Sequence, residues 1–188
     1  ACNERCPFCN SAPFADNVVA ADGVAAAIRG AKALGAVEVS LTGGEPTLVP
    51  ELPDWIRLAR ECGLRVTLQT NGVVAGSPGY WDRFRDEDGR LAVPDGILLS
   101  FHTRHPERLP ALTGVGGTFD RKVAAVVAAS ALGIRVFLNF VVCTLNLDEL
   151  PEFPAFVAAT FGPDVSVVFS VAAPTGRAAD LALIPEMR

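Results

Sequence analysis

Apolar and polar positions along this chain fall into two alternating rhythms. Short runs rich in Val, Ile, Leu and Phe occur at 37–42, 65–70, 97–102, 136–142 and 165–171, and each reads as a strand. Longer stretches between them carry helical periodicity: Val18 to Leu34, Glu51 to Cys62, Phe119 to Leu132 and Leu150 to Phe161. These helices run into Gly35, Gly63, Gly133 and Gly162, the usual glycine stop. The stretch from Val74 to Pro94 is rich in Gly, Pro and charge, with a short helix predicted around Trp81 to Asp86. Strands and helices taking turns predict βα units and a parallel sheet.

The strands have two unlike faces. Side chains alternate along a strand. Val37, Val39 and Leu41 therefore oppose Glu38, Ser40 and Thr42, and Ile97, Leu99 and Phe101 oppose Leu98, Ser100 and His102. The run from Val66 puts Thr67, Gln69 and Asn71 on its polar face, and the last strand puts Ser166 and Ser170 opposite Val165, Val167 and Phe169. A sheet covered by helices on both sides is apolar on both faces. A polar face instead implies either a curved, partly closed barrel with a working lumen or a sheet face left open to solvent.

Composition narrows the class. The chain has 188 residues, half of them hydrophobic, which suits a single domain, 1–188, with a large core. Mean hydropathy is +0.33, yet no apolar run is long enough to span a bilayer, so no membrane is expected. A formal charge of −5 and a pI near 5.0 argue against general nucleic-acid binding. Five cysteines, three of them clustered, do not form a disulfide framework and point to a reducing cytoplasm. The sequence opens on Ala1 and almost at once on a cysteine, which suggests a piece of a longer chain.

The clustered cysteines are Cys2, Cys6 and Cys9, in the run C-N-E-R-C-P-F-C. An iron–sulfur cluster normally takes four cysteines, so three close in sequence would leave one iron open to a small molecule. A structural zinc site needs a closed set of four ligands. His102 or His105 would have to fold back onto the cysteine loop to complete one, and Cys62 and Cys143 read as buried single thiols. Both metal readings stay open on spacing alone. A second motif, Gly43-Gly44-Glu45-Pro46, follows the first strand. Its glycines let a ligand approach the backbone, and Glu45 offers a carboxylate to an ammonium group.

Taken together, C-x3-C-x2-C with Phe8 before its last cysteine and G-G-E-P one βα unit later resemble the radical S-adenosylmethionine (SAM) enzymes. T-N-G at Thr70 to Gly72, Ser100, T-G…G-T-F from Thr113 to Phe119, Asn139 and P-T-G-R-A from Pro174 to Ala178 are similar to the subgroup of molybdenum-cofactor cyclase and peptide-modifying maturases. The resemblance implies an α/β fold: a partial (β/α)6 TIM-like barrel of parallel strands, here without its first strand. It implies that Cys2, Cys6 and Cys9 hold a 4Fe–4S cluster whose open iron chelates SAM. Gly43, Gly44 and Glu45 would take the methionine amino group, the Phe8 region would lie near adenine, and Ser100 and Asn139 would reach the ribose or the carboxylate. The implied activity is reductive cleavage of SAM to a 5′-deoxyadenosyl radical that takes hydrogen from a peptide or cofactor-precursor substrate. The electron would come from a reductant such as a flavodoxin or ferredoxin.

In (β/α) barrels the C-terminal ends of the strands carry the chemistry. Gly43 to Glu45, Asn71, His102 and Ser170 all fall there, and Asn139 falls mid-strand. His102 reads equally as a substrate acid or base and as a hydrogen-bonding residue of the lumen. Arg104, Arg108 and Arg177 are candidates for an anionic substrate, against the plainer reading of solvated loop charges. Two other classes remain: a non-catalytic zinc or iron–sulfur scaffold, and a barrel enzyme holding a phosphate cofactor at the glycines 114–117.

Overall fold

The computed structural model describes residues 1–14, 17, 19–174 and 181–185. Five strands form one sheet: β1 (Glu38–Leu41), β2 (Arg65–Thr70), β3 (Gly96–Ser100), β4 (Arg135–Val142) and β5 (Ser166–Val171). They lie in chain order and every pairing is parallel, as the alternating rhythm predicts. The connections carry α1 (Ala21–Ala33), α2 (Leu52–Glu61), α3 (Leu109–Thr113), α4 (Phe119–Ala131) and α5 (Phe153–Phe161). α3 was not anticipated. It is a single short turn with Pro110 near its start, too brief to show helical periodicity. α1 and α5 both begin later than their patterns suggest; Val18 lies outside the described residues. α5 waits until after Pro151, behind a 3-10 turn at Leu147–Glu149.

On the three central strands the two faces separate as the alternation requires, whereas at the edge strands Val37 and Phe169, expected on the apolar face, are exposed. Val66, Leu68, Ile97, Leu99, Val136, Leu138 and Phe140 are buried against the helices. α2 meets them with Leu52, Ile56 and Ala59, and α5 with Phe153 and Val157. These positions repeat at helical spacing, so each helix buries one stripe. Phe101, Phe119, Phe140, Phe153, Phe156 and Phe161 form an aromatic cluster, with Phe140 and Phe153 ring centroids 4.5 Å apart. The opposite face is laced by side chains instead. Gln69 Nε2 donates to Ser40 Oγ at 3.0 Å, the Thr67 hydroxyl donates to Glu38 at 2.7 Å, and the Ser170 hydroxyl donates to Asn139 Oδ1 at 2.8 Å. This one-sided cover by helices is the arrangement of a partial barrel.

Phe101 ties the core to the site, since it lies between Ser100 and His102. Phe101→Ala is expected to cost about 3–5 kcal/mol, the range for deleting a buried phenyl ring. Urea denaturation followed by circular dichroism checks this as a fall in midpoint with an unchanged slope.

Candidate active site

A loop without helix or strand through its first nine residues must find partners elsewhere for its backbone and polar side chains. The cysteine loop finds them on successive βα units. The Glu45 N–H donates to Ala1 O at 2.8 Å, and the two backbones touch so closely that a Cβ on Gly44 would stand 2.1 Å from that oxygen. Asn71, just beyond β2, donates through Nδ2 to Asn3 Oδ1 at 2.6 Å and lies 3.9 Å from Cys2 Sγ. The Arg5 N–H donates to Thr113 O at the end of α3 at 2.6 Å. Gly114 follows at φ +72, where a Cβ would press on Arg5. The T-G motif thus serves as a seat for the loop.

The fourth anchor is charged. Lys122 points from α4 into the interior and is 1% exposed. Its Nζ donates to Asn71 O at 2.7 Å and Ser100 O at 3.2 Å, and lies 2.9 Å from Glu4 Oε1. That oxygen makes no well-aligned hydrogen bond and is held by charge. The other, Oε2, accepts from the Cys6 thiol at 3.8 Å. Burial raises the Glu4 carboxyl from its ordinary range, and the Lys122 charge pulls the other way.

Above these anchors lies one cleft of about 250 Å³ at the C-terminal ends of the strands. Every residue singled out from the sequence as a ligand or cofactor contact lines it: Cys2, Cys6 and Cys9, Phe8, Gly43, Gly44 and Glu45, Ser100 and Asn139. Ser100 and Asn139 are register partners across β3 and β4, so they sit side by side. Gly43 adopts φ +155, a backbone conformation open to glycine, and a Cβ there would meet nothing within 4 Å. The backbone at this turn therefore faces open space.

The three thiols are free of disulfides. Burial raises the Cys2 thiol, and burial together with the Glu4 charge pushes Cys6 up to about 12. A bound cation is what favours thiolates in such surroundings. Among the described residues, no three His, Cys, Asp or Glu side chains converge on one point as ligands of a single metal ion. Three thiols lining one cleft are a donor set that fits an iron–sulfur cluster.

Two candidate contacts have second duties. Glu45 is 2% exposed, and its Oε1 accepts from the Thr47 N–H, the Thr47 hydroxyl and the Thr70 hydroxyl at 3.0, 2.5 and 2.7 Å. Oε2 accepts from the Asn71 N–H at 2.7 Å. The carboxylate so joins the G-G-E-P turn to the end of β2, and Oε2, with one partner, is the oxygen left to meet an ammonium group. Phe8 turns its ring under the loop, edge-on to His102 with centroids 5.0 Å apart, in a small apolar cluster with Leu112, Cys143 and Ala172.

Among the remaining candidates, His102 is 3% exposed and its Nδ1 accepts from the Val141 N–H at 3.2 Å, bridging β3 to β4. Burial, with the nearby Lys122 charge, lowers its pKa to about 3, so it is neutral at ordinary pH. This matches the hydrogen-bonding reading of His102. Arg104 and Arg108 are partly solvated and paired within the loops: Arg104 pairs with Glu152, and Arg108 pairs with Asp148 at 2.7 Å and the buried Glu149 at 3.1 Å. These pairs clamp the loop after β3 to the loop after β4. Arg177 lies outside the described residues.

Sequence reasoning missed Glu4, Lys122 and the anchoring use of Asn71 and Thr113. For Lys122 a signal existed: it shares the inward stripe of α4 with Ala125, Val126 and Ala129, where a lysine needs a buried partner.

A parallel half-barrel brings the thiols, the glycine turn and the polar strand ends into one cleft, at the face where α/β-barrel enzymes carry their chemistry. The sequence model of the Radical SAM superfamily matches residues 1–157, and the chain belongs to that superfamily. A probable GTP 3′,8-cyclase of Saccharolobus islandicus is 33% identical over 156 residues, covering 81% of this chain and 48% of the relative. A PqqA peptide cyclase of Ruegeria pomeroyi is 34% identical over 155 residues, covering 78% of this chain and 39% of the relative. The chain spans about half the length of the curated relatives it matches, or less. The fold is shared with Streptococcus suis SuiB bound to S-adenosylmethionine, with a TM-score of 0.75 at 19% identity over 100% of this chain and 41% of that one. Among the described residues no helix is long and apolar enough to cross a membrane.

The neutral His102 has a consequence for stability. Its pKa in the fold lies below the ordinary histidine value of 6.5, so the unfolded chain binds the proton more readily. The stability it contributes is complete above 6.5 and is lost as the pH falls toward about 3. His102→Gln is expected to flatten the pH dependence of the urea midpoint across the mildly acidic range relative to the native sequence. Parallel curves would contradict this.

Proposed function

We propose that residues 1–188 act as the core domain of a cytoplasmic radical SAM enzyme that cleaves SAM reductively and takes hydrogen from a peptide or cofactor-precursor substrate. The observation that carries the reading is the meeting of three unpaired thiols and the Gly43-Gly44-Glu45 turn in one cleft. Cys2, Cys6 and Cys9 would hold a 4Fe–4S cluster. When bound, that cluster supplies the electron that splits SAM into methionine and a 5′-deoxyadenosyl radical.

The chain's own residues bind and orient. The open backbone at Gly43 and Oε2 of Glu45 receive the methionine ammonium group. Asn139, with Oδ1 occupied by Ser170, offers its amide nitrogen to a carboxylate or a ribose hydroxyl, beside Ser100. Phe8 fixes the end of the cysteine loop against His102, so the adenine side of the cleft has a rigid wall. A peptide substrate is favoured by the likeness to a PqqA peptide cyclase, and a nucleotide-derived cofactor precursor by the likeness to a GTP cyclase. A small reductant, a flavodoxin or ferredoxin, would supply the electron; nucleic acid is not a partner in this reading.

Anaerobic reconstitution with iron and sulfide, followed by electron paramagnetic resonance of the reduced protein, tests the proposal. The expected result is a cluster signal that changes when SAM is added. Alanine at Cys2, Cys6 or Cys9 is expected to abolish the brown colour and SAM cleavage together; cleavage that survives would sink the reading. Glu45→Gln is expected to weaken SAM binding at least about tenfold, the loss of one charged hydrogen bond. Isothermal titration of the reconstituted protein measures it.

A further inference from the structure

Among the described residues, Lys122 is a buried cation at the sheet's C-terminal end, and its partners all belong to the frame of the cleft. Lys122 receives no help from solvent. Its ammonium is shared by the Asn71 carbonyl beyond β2, the Ser100 carbonyl at the end of β3, and Glu4 between the first two cysteines. Burying a lysine in an apolar stripe is costly unless it is paired and hydrogen-bonded. An apolar residue at position 122 would continue the stripe of Ala125, Val126 and Ala129 at less cost. The ammonium therefore does something that packing does not. It fixes Glu4, whose second oxygen reaches the Cys6 sulfur, at a set height over the strand ends that carry Asn71 and Ser100.

We propose that Lys122 and Glu4 form a positioning pair that holds Cys6, and through it the cysteine loop, in register with the cleft. The proposal rests on the reading of Cys2, Cys6 and Cys9 as cluster ligands, but the loop's placement can be measured before any cluster is loaded. The experiment compares the native sequence with Glu4→Gln and Lys122→Met. Each unloaded protein is labelled with a maleimide, and each cysteine is followed by mass spectrometry. The expected result, with rates compared at equal thiolate fraction from a pH series, is Cys6 labelling about tenfold faster in both variants, because labelling then follows the population of the opened loop, while Cys62, just past α2, keeps its rate. Should Lys122→Met fail to melt cooperatively, Glu4→Gln carries the test, since its change lies in the loop and keeps the side chain's size. After reconstitution, Glu4→Gln is also expected to raise the midpoint potential of the cluster, since it removes a negative charge beside one ligand. Loosening alone gives no reason for that sign.

Equal rates at Cys6 overturn the proposal. So does acceleration shared by Cys62, which would make the pair a matter of general stability, and so does an unmoved potential in a loaded variant. If the native sequence takes up no cluster, the ligand reading fails and the labelling rates alone decide the role of the pair.

Discussion

Everything at the active end of this molecule depends on satisfying the polar groups of a loop that has no regular structure of its own. The cysteine loop can neither pair as a strand nor close as a helix, so its hydrogen-bonding capacity must be met from outside. Four contacts meet it, at Ala1, Asn3, Glu4 and Arg5, and each leads to a different part of the barrel. Because the anchors are on elements whose positions the core fixes, the thiols inherit the rigidity of the sheet. A site held within tenths of an ångström is easier to build on such supports than within a free loop.

The cleft is also economical with its charged groups. Glu45 braces a turn with three hydrogen bonds to one oxygen and keeps the other turned toward the strand ends. Glu149 does similar work on the other side, accepting from the Thr103 hydroxyl and the Arg104 N–H while pairing with Arg108. Two buried carboxylates thus brace the loops that follow β1 and β4, and His102 with Asn146 ties the end of β3 to β4 between them. Such buried hydrogen-bond networks rigidify the structure around them.

Much of this was legible in the chain. The apolar face of each central strand could be read by alternation, and it is the face the helices cover. The nine candidate ligands and contacts were named from two short motifs and single polar residues on strands, and the fold brings them to one cleft. What could not be read was the use of residues whose partners are remote. Glu4 looks like a spacer between cysteines until Lys122 is seen beneath it. Arg104 and Arg108 look unpaired until the acids after β4 come into place. α3 was invisible because one turn carries no period, and Glu45 read as a ligand contact alone because its bond to the Asn71 N–H spans two βα units. Local patterns record propensity and burial; they do not record long-range polar pairing.

The contact at Gly44 carries a further consequence, for the order of folding. The loop that comes first in the sequence leans on a turn after β1, a residue after β2, the end of α3 and the inward face of α4. None of these exists as a surface until most of the sheet has formed. Contacts so distant along the chain are late to close, because loop-closure entropy must be met before they can stabilise anything. The thiols are therefore among the last groups to be placed, and they settle against a sheet that is already built.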